Sequence, residues 1–457
     1  MKLNEEQRFL NAVPGEMEPD MPMVWDPFAG RHERQQRKNR ATINSFLGKG
    51  SRVNAVAIVP RYYGELLTWS LHRYVEKNQW KVIITLNYQM PEPVYIDVST
   101  DYDKRENLLM NGQLLVEKED CRLVVTVDVN LKWRGSVKVE GLARKKKEVQ
   151  DFIDGINAIG DQENIYRNKK IEFGVRLRFL DIRPKSWQNI ILDPGIKKEI
   201  RGNTVNFLHK KEVWNKYGIP MKRGILLAGE PGTGKTIICK ALMAEADKIT
   251  CIMTNAYGLV EEDYITELYE LACDLSPCIV FIEDIDLIGQ NREEFNYRSG
   301  PALLALLAVL DGVEEKEGIV TVATTNNLET LDKAIRQRPS RFDRVIELAL
   351  PSLEEREELI SLLCQKIPVD NSTQDCIAHK AEQCTPAQLQ EIIFSLAIQH
   401  SDELPEPRST YLEVSKDDIE TVISKINGKN RHQIGFTIRG NHNGEKPDLI
   451  GTEKLRR

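Results

Sequence analysis

The stretch Gly229-Glu230-Pro231-Gly232-Thr233-Gly234-Lys235-Thr236 fits the pattern G-x-x-x-x-G-K-[ST]. An apolar run at 224–228 precedes it and predicts a buried strand, and the residues at 237–243 predict a helix. In that strand–loop–helix order the glycines let backbone N–H groups turn toward a phosphate, and the start of the helix adds partial positive charge. The alternative is an ordinary glycine-rich turn. The flanking strand and helix favour a phosphate-binding loop.

Each part of this loop has an expected task. Lys235 would contact the β- and γ-phosphates of a nucleotide, and the Thr236 hydroxyl would ligate Mg²⁺. We therefore expect ATP and Mg²⁺ as cofactors. The residues expected to bind the nucleotide are Gly229, Glu230, Pro231, Gly232, Thr233, Gly234, Lys235, Thr236 and Ile237.

A second apolar run, at 279–282, ends in the acidic sequence Glu283-Asp284-Ile285-Asp286. A buried parallel strand delivers the carboxylates at its carboxyl end to the ligand-binding edge of the sheet. We expect Glu283 to hold Mg²⁺ together with Thr236, and Asp284 to act as the base that polarises the attacking water. The alternative is an acidic loop end without a catalytic role.

A third apolar run, at 318–325, ends at Asn326. An amide at that strand end would lie between the phosphate loop and the acidic strand, where it can orient the attacking water by a hydrogen bond. Taken alone, Asn326 is typical of a turn. Together with the other two strand ends it is a candidate catalytic residue.

Two arginines, Arg338 and Arg341, flank the turn Pro339-Ser340. The planar, permanently charged guanidinium suits a γ-phosphate. If these arginines act on the nucleotide of a neighbouring subunit, each is an arginine finger. The alternative is a surface ion-pair cluster with Asp343 and Glu347.

The composition is that of a globular protein, with 457 residues, 29% charged and 41% hydrophobic, and a net charge of −6. That charge argues against a protein whose whole surface binds polyanions. The eight cysteines form no C-x-x-C pair, which favours reduced thiols and a cytoplasmic location. We find no apolar run long enough to cross a bilayer and no signal peptide, and we expect no contact with a membrane.

The pattern changes along the chain predict five parts. Period-two runs at 81–86, 122–129, 136–139 and 170–179 predict strands, and helical spacing occurs at 62–77 and 144–156. The basic run at 31–40 is either a solvated helix or an arm for nucleic acid. The five parts are a polar and partly disordered segment at 1–50, an α+β domain for substrate or partner recognition at 51–185, a large αβα subdomain at 186–351, a helical lid at 352–428 and a mobile tail at 429–457.

With these motifs in this order, the chain resembles the AAA family of ATPases over residues 187–426. The motifs are Gly229–Thr236 (Walker A), Ile279–Asp284 (Walker B), Ala323–Asn326 (sensor 1) and the arginine-finger segment Arg338–Arg341. The resemblance implies an α/β fold, a P-loop NTPase αβα core with a small helical lid, here preceded by the α+β domain. It also implies a homo-oligomeric ring, usually a hexamer, in which ATP hydrolysis remodels a protein or another macromolecule.

Within the family, the segment 214–235 and the order Glu283-Asp284 are similar to the branch of the ATPase that assembles mitochondrial respiratory complex III. That protein carries a transmembrane helix near its N-terminus, so we expect a soluble relative. The segment 385–389 lacks the usual second sensor arginine. The aromatic triplet of substrate-threading members is not preserved at Tyr257, where a pore residue and a packed tyrosine are both open.

Three functions remain in competition. The first is an oligomeric ATPase that remodels a protein substrate of unknown identity. The second is a nucleotide-gated, defence-type assembly that senses or binds nucleic acid through the basic runs at 31–40 and 144–147. The third is a scaffold without hydrolysis, which the intact motifs argue against. Asp284 is one methylene shorter than the usual glutamate base, so turnover would be slow and would suit a switch.

Overall fold

The computed structural model describes residues 29–130, 134–182, 186–259, 262–286, 305–310, 317–329, 331, 342–400, 411 and 414–428. The described residues up to 355, together with 385–387, form one compact unit, and those at 356–384 and from 388 to 428 form a second. Within the described ranges, no helix is both long and apolar enough to cross a membrane.

The first part of the chain forms an antiparallel sheet with helices on both faces. The sheet order is β1-β6-β5-β4-β2, and β3 pairs with the other half of the long strand β4. Its elements are α1 (Ala29–Leu47), β1 (Arg52–Pro60), α2 (Gly64–Lys77), β2 (Lys81–Leu86), β3 (Val94–Ser99), β4 (Arg105–Lys118), β5 (Cys121–Asn130), β6 (Arg134–Leu142) and α3 (Lys146–Gln162).

The strands predicted at 81–86, 122–129 and 136–139 and the two predicted helices are present, and three strands were missed. Residues 52–60, 94–99 and 105–118 were left unassigned, although β4 is the longest strand of the sheet. Its middle carries apolar residues on both faces, because α2 and α3 cover one face while Leu47 of α1 packs against Leu115 and Val124 on the other. A strand covered on both faces lacks the period-two pattern.

The second sheet is parallel, apart from one edge strand, in the order β13-β9-β12-β11-β10-β7-β8. This confirms the predicted α/β core. The elements are β7 (Lys170–Glu172), β8 (Arg178–Phe179), α4 (Pro194–Asn203), α5 (Val205–His209), α6 (Lys211–Lys216), β9 (Lys222–Ala228), α7 (Lys235–Glu245), β10 (Thr250–Asn255), α8 (Glu262–Asp274), β11 (Cys278–Glu283), β12 (Ile319–Thr325) and β13 (Arg344–Glu347).

Alternate residues of the parallel strands enter two different cores. On β11, Ile279 and Phe281 face the core that contains α4, α5 and α7, whereas Val280 and Ile282 face the core that contains α8. The α8 core is continuous with the core of the antiparallel sheet. The two sheets are therefore packed together within one unit.

The predicted single strand at 170–179 was wrong. The chain forms a hairpin in which β7 pairs with β8, with Ile171 opposite Phe179, and β7 also pairs in parallel with β10. Val175 lies in the turn and is 56% exposed, although the pattern placed it on the buried face. The hairpin was assigned to the N-terminal domain at 51–185, but its strands complete the edge of the parallel sheet.

The second unit consists of short helices, as expected for residues 352–428. The elements are α9 (Leu353–Cys364), α10 (Asn371–Lys380), α11 (Pro386–Gln399) and α12 (Lys416–Ile426). The Asp370 side chain caps α10 by accepting from the Thr373 N–H, and Ser415 with Asp418 forms a capping box on α12. The edge strand suggested at 435–438 lies outside the described residues.

Candidate active site

The glycine-rich loop connects β9 to α7, as its sequence predicts. Gly234 precedes the first residue of α7 with φ 98°, and Gly232 has φ 89°, a region that L-residues with side chains rarely adopt. A Cβ on Gly232 would lie 2.8 Å from Thr385 Oγ1 and 2.9 Å from Ala387 Cβ. The Ala387 N–H donates to the Gly232 carbonyl at 3.2 Å. The loop therefore needs glycine for its conformation and for the close approach of residues 385–387.

Lys235 is folded back onto its own loop. Its side chain is nearly buried, and Nζ donates to the carbonyl oxygens of Gly229 at 2.6 Å and Glu230 at 3.0 Å. Burial lowers the pKa of this amine, and the nearby carboxylates of Asp284 and Asp286 act in the opposite direction. An anionic ligand in the loop would favour the charged amine and replace these carbonyl partners.

The two residues that follow Lys235 at the start of α7 are exposed. Thr236 is exposed, and Ile237 is 46% exposed although it is apolar. The first turn of a helix has N–H groups without intrahelical partners, and these favour an anion. The arrangement is open to a phosphate group at the positions that the sequence assigned to nucleotide binding.

The sheet order β9-β12-β11 brings three strand ends to one edge. Asn326 follows β12, and its Nδ2 donates to Asp284 Oδ1 at 3.0 Å. Asp284 follows β11, and its N–H donates to Thr324 Oγ1 at 3.1 Å. Asp284 is exposed and has φ 53°, which is uncommon for a residue with a Cβ. The predicted base and the predicted water-orienting amide thus form one hydrogen-bonded pair.

A third carboxylate, Asp286, was not assigned from the sequence. Its Oδ2 accepts from the Asn326 N–H at 3.0 Å, and its Oδ1 accepts from the Thr325 hydroxyl. Asp286 therefore fixes the backbone that carries Asn326. The sequence signal was present in the acidic run at 283–286, but it did not show which carboxylate would turn toward the neighbouring strand.

Glu283 fits the role of a metal-holding residue. Its Oε1 is enclosed and has no hydrogen-bond partner among the described residues. A buried carboxylate oxygen without a partner is costly, and Mg²⁺ or its water shell would satisfy it. The adjoining Cys239 thiol is fully buried, and its pKa is raised by burial and then by the charge of Glu283. The chemistry at this position suits a cation.

Three predicted residues lack a described side chain. Arg338 and Arg341 lie outside the described residues, so their assignment as arginine fingers stays a prediction. Tyr257 lies in a short 3-10 helix, Ala256–Leu259, that follows β10 directly. Nothing in the structure tests whether Tyr257 contacts a substrate.

Residues 225–350 match the family model described as "ATPase family associated with various cellular activities (AAA)". The chain is 31% identical over 310 residues to "ATP-dependent zinc metalloprotease FtsH 1" of Alkaliphilus metalliredigens, which is 64% of this chain and 49% of that protein. It is 36% identical over 218 residues to a "Putative 26S proteasome regulatory subunit homolog" of Methanocaldococcus jannaschii (46% of this chain, 56% of that protein). It is 37% identical over 185 residues to "Cell division cycle protein 48 homolog" of Archaeoglobus fulgidus (38% of this chain, 25% of that protein).

The chain thus spans about half the length, or less, of these relatives. The narrower resemblance to the complex III assembly branch stays a prediction. AAA ATPases use ATP with Mg²⁺, which is the cofactor pair that the loop and Glu283 predict. The match over 225–350 and the geometry of the loop and strand ends identify this part of the chain as an ATPase domain of the AAA type.

Proposed function

We propose that the protein hydrolyses ATP at this site. The observation that carries the proposal is the meeting of the Lys235 loop with the Asp284–Asn326 pair at one edge of the sheet. Residues 229–237 would hold the nucleotide, with Lys235 on the phosphates. Thr236 and Glu283 would hold Mg²⁺, which supplies charge neutralisation between phosphate oxygens.

The side chains around Asp284 have different roles in the proposed reaction. Asn326 donates to Oδ1 of Asp284, which leaves Oδ2 on the exposed carboxylate to accept a proton from water. Asp286 holds the Asn326 backbone and keeps its amide in place. A general base has to lie within hydrogen-bond distance of the water that it activates. Because aspartate is one methylene shorter than glutamate, the rate of hydrolysis should depend strongly on the position of Asp284.

We further propose that hydrolysis remodels a protein substrate. Support comes from relatives whose names describe ATP-dependent proteases and proteasome regulation. The printed sequence contains no H-E-x-x-H, so zinc proteolysis is not part of the proposal. The region 51–185, packed on α8, would choose the substrate, and the helices at 352–428 would act as the lid. The protein would act in the cytoplasm.

An oligomeric ring, with six subunits as the expected number, completes the proposal. In it Arg338 and Arg341 would contact the nucleotide of the neighbouring subunit. The test is the steady-state ATPase rate against protein concentration, with Arg338→Ala mixed into wild type in rising proportion. We expect the rate per subunit to rise with concentration and to fall faster than the wild-type fraction, because one arginine is worth roughly 10³–10⁵ in rate in the best-studied enzymes.

Arg336→Ala is the matched control, since it removes the same charge two positions away. A rate that does not depend on concentration and falls only in proportion to dilution would reject the shared site. If Arg336→Ala lowers the ATPase rate of the mixture as strongly as Arg338→Ala, the loss of rate comes from the lower charge of the segment, and the assignment of Arg338 as an arginine finger is wrong.

A further inference from the structure

A groove of about 710 Å³ lies on the antiparallel sheet, on the face that α1 covers only in part. Arg37 and Arg40 line it from α1, and Arg52 lines it from β1. The loop after β2 contributes Tyr88 and Gln89, and the floor includes Gln113 of β4. None of these residues belongs to the nucleotide site, and residues 51–185 carried no assigned binding site.

Two arginines of the groove have no partner among the side chains that the structure describes. Arg37 and Arg40 are exposed, lie one helical turn apart, and make no hydrogen bond or ion pair among the described residues. Arg52, by contrast, donates to Glu140 Oε1 at 2.8 Å and to Asn44. Glu140 is the groove's one carboxylate within the described lining, and Arg52 neutralises it. Within the described part of the chain, the groove thus offers two guanidinium forks that are not engaged by a carboxylate, and this is the geometry that recognises phosphate.

The groove is held in shape by amides. Asn39 is 6% exposed, and its Nδ2 donates to the Asn87 carbonyl oxygen at 2.9 Å and to Asn87 Oδ1 at 2.8 Å. This fastens α1 to the loop after β2. On the floor, Gln113 Nε2 donates to Thr126 Oγ1 at 3.0 Å. A preformed site loses less entropy on binding than one that has to be assembled.

The remaining lining suits a nucleobase. Amide side chains both donate and accept, so Gln89 and Gln113 can pair with the polar edge of a base. Tyr88 supplies an aromatic face, and base–aromatic stacking tolerates every base. The volume lies within the range of about 300–1,000 Å³ that is typical of small-ligand sites, which fits one or two nucleotides.

We propose that this groove binds a ligand that carries both phosphate and nucleobase. Arg37 and Arg40 hold the phosphate, and Tyr88 stacks on the base. The same chemistry is found in a single-stranded nucleic acid and in a free short nucleotide. The proposal does not depend on ATP hydrolysis, and it gives the region 51–185, with α1, a binding function of its own.

The test measures fluorescence anisotropy of two labelled probes, an oligothymidylate and the dinucleotide pTpT, without added nucleotide and in a Lys235→Ala background that weakens binding at the phosphate loop. Arg37→Gln/Arg40→Gln should weaken binding about tenfold or more. The slope of log K against log salt should fall by about 1.4, since each single-strand phosphate contact contributes about 0.7. Tyr88→Leu should weaken binding while leaving that slope unchanged, because it removes stacking but no charge.

Lys38→Gln is the matched control. It removes one charge from the same helix, between the two arginines in sequence, at an exposed residue that does not line the groove. The proposal is overturned if neither probe binds the wild type, if Lys38→Gln weakens binding as much as Arg37→Gln or Arg40→Gln made singly, or if heparin competes equally and Tyr88→Leu has no effect. Equal affinity for both probes identifies a free nucleotide as the ligand, and binding of the oligomer alone identifies a single strand.

Discussion

Asp284 stands in a left-handed backbone conformation, and this bears on how its role can be tested. Aspartate and asparagine tolerate φ 53° better than most residues with a Cβ, because their short side chains bond locally. A glutamate at the same position would carry more strain. The exchange of Asp284 for asparagine therefore removes the charge while the backbone stays relaxed.

We predict that Asp284→Asn lowers the rate of ATP hydrolysis about 100-fold or more and leaves ATP bound, because a general base contributes roughly 10²–10⁴. Glu283→Gln should instead raise the Mg²⁺ concentration that half-saturates the rate. Single-turnover phosphate release and binding of a fluorescent ATP analogue measure the two effects. Normal turnover in Asp284→Asn, together with its loss in Glu283→Gln, would mean that the two roles are reversed.

For single residues, the sequence predicted which side chains come together at the site but not which hydrogen bonds fix their positions. The spacing of apolar runs was enough to bring Lys235, Asp284 and Asn326 to one sheet edge. The role of Asp286 depends on its turning toward Thr325 and the Asn326 N–H. That turn follows from side-chain packing between strands, which residue spacing does not encode.

Among the elements, α10 owes part of its stability to one side chain. Asp370 accepts from the Thr373 N–H at 3.0 Å and from the hydroxyls of Ser372 and Thr373. These bonds, first those from the side chains of Ser372 and Thr373, lower the pKa of Asp370 from 3.8 to about 2. The folded state therefore favours the carboxylate. The stabilisation is complete above pH 3.8 and is lost as the pH falls toward about 2.

We predict that Asp370→Ala lowers the free energy of opening of α10 by about 1 kcal/mol at neutral pH, the usual cost of a lost helix N-cap. Amide hydrogen exchange of residues 371–380 measures it. The difference from wild type should shrink as the pH approaches 3. Asp375→Ala, an exposed acid on the same helix, should leave the exchange nearly unchanged. If both variants accelerate amide exchange equally, the Asp370 cap does not contribute specifically to the stability of α10.

Element prediction succeeded for the continuous apolar runs that became β9, β11 and β12, but it missed β1 and β3, in which more and less exposed residues alternate. The alternation at 81–86 was enough to find β2, whose side chains are largely exposed. The longer strand β4 was missed because it neither alternates nor forms one apolar run, since Asn111-Gly112-Gln113 separates the buried apolar residues at 108–110 from those at 114–116. The helix offered at 31–40 was expected to be solvated, so the sequence did not indicate that its end covers the second face of this sheet.

In the whole molecule, Arg61 joins the antiparallel sheet to the ATPase core. It is 4% exposed, its Nε donates to Glu267 Oε2 at 2.8 Å on α8, and its guanidinium carbon lies 3.8 Å from the Tyr264 ring centroid. Its Nη2 has no partner among the described residues. Removing one member of such a pair leaves the other without its partner, while replacing both with apolar residues can be nearly neutral.

We predict that Arg61→Met lowers the free energy of unfolding by roughly 1–3 kcal/mol and that Arg61→Met/Glu267→Leu recovers part of the loss. Urea unfolding, followed by tryptophan fluorescence and by circular dichroism, measures both. The two probes should report one shared transition, because one core serves both sheets. Arg52→Met, which removes a more exposed ion pair, should cost less than about 1 kcal/mol. An equal cost for Arg52→Met would show that burial of Arg61 is irrelevant.

The hairpin of β7 and β8 matters for anyone who divides this protein into pieces. A fragment that began at residue 186 would hold every nucleotide motif and yet lack the strands that cover β10. The backbone of Cys251–Met253 would then face water along an apolar strand, and such a strand recruits other copies into aggregates. A fragment that began near residue 164 would keep its own border strand. Both fragments would expose the face of α8 that packs against the antiparallel sheet. Lower solubility of the shorter fragment than of the longer one would therefore report the loss of the border strands, and it would say nothing against ATP hydrolysis by the longer one.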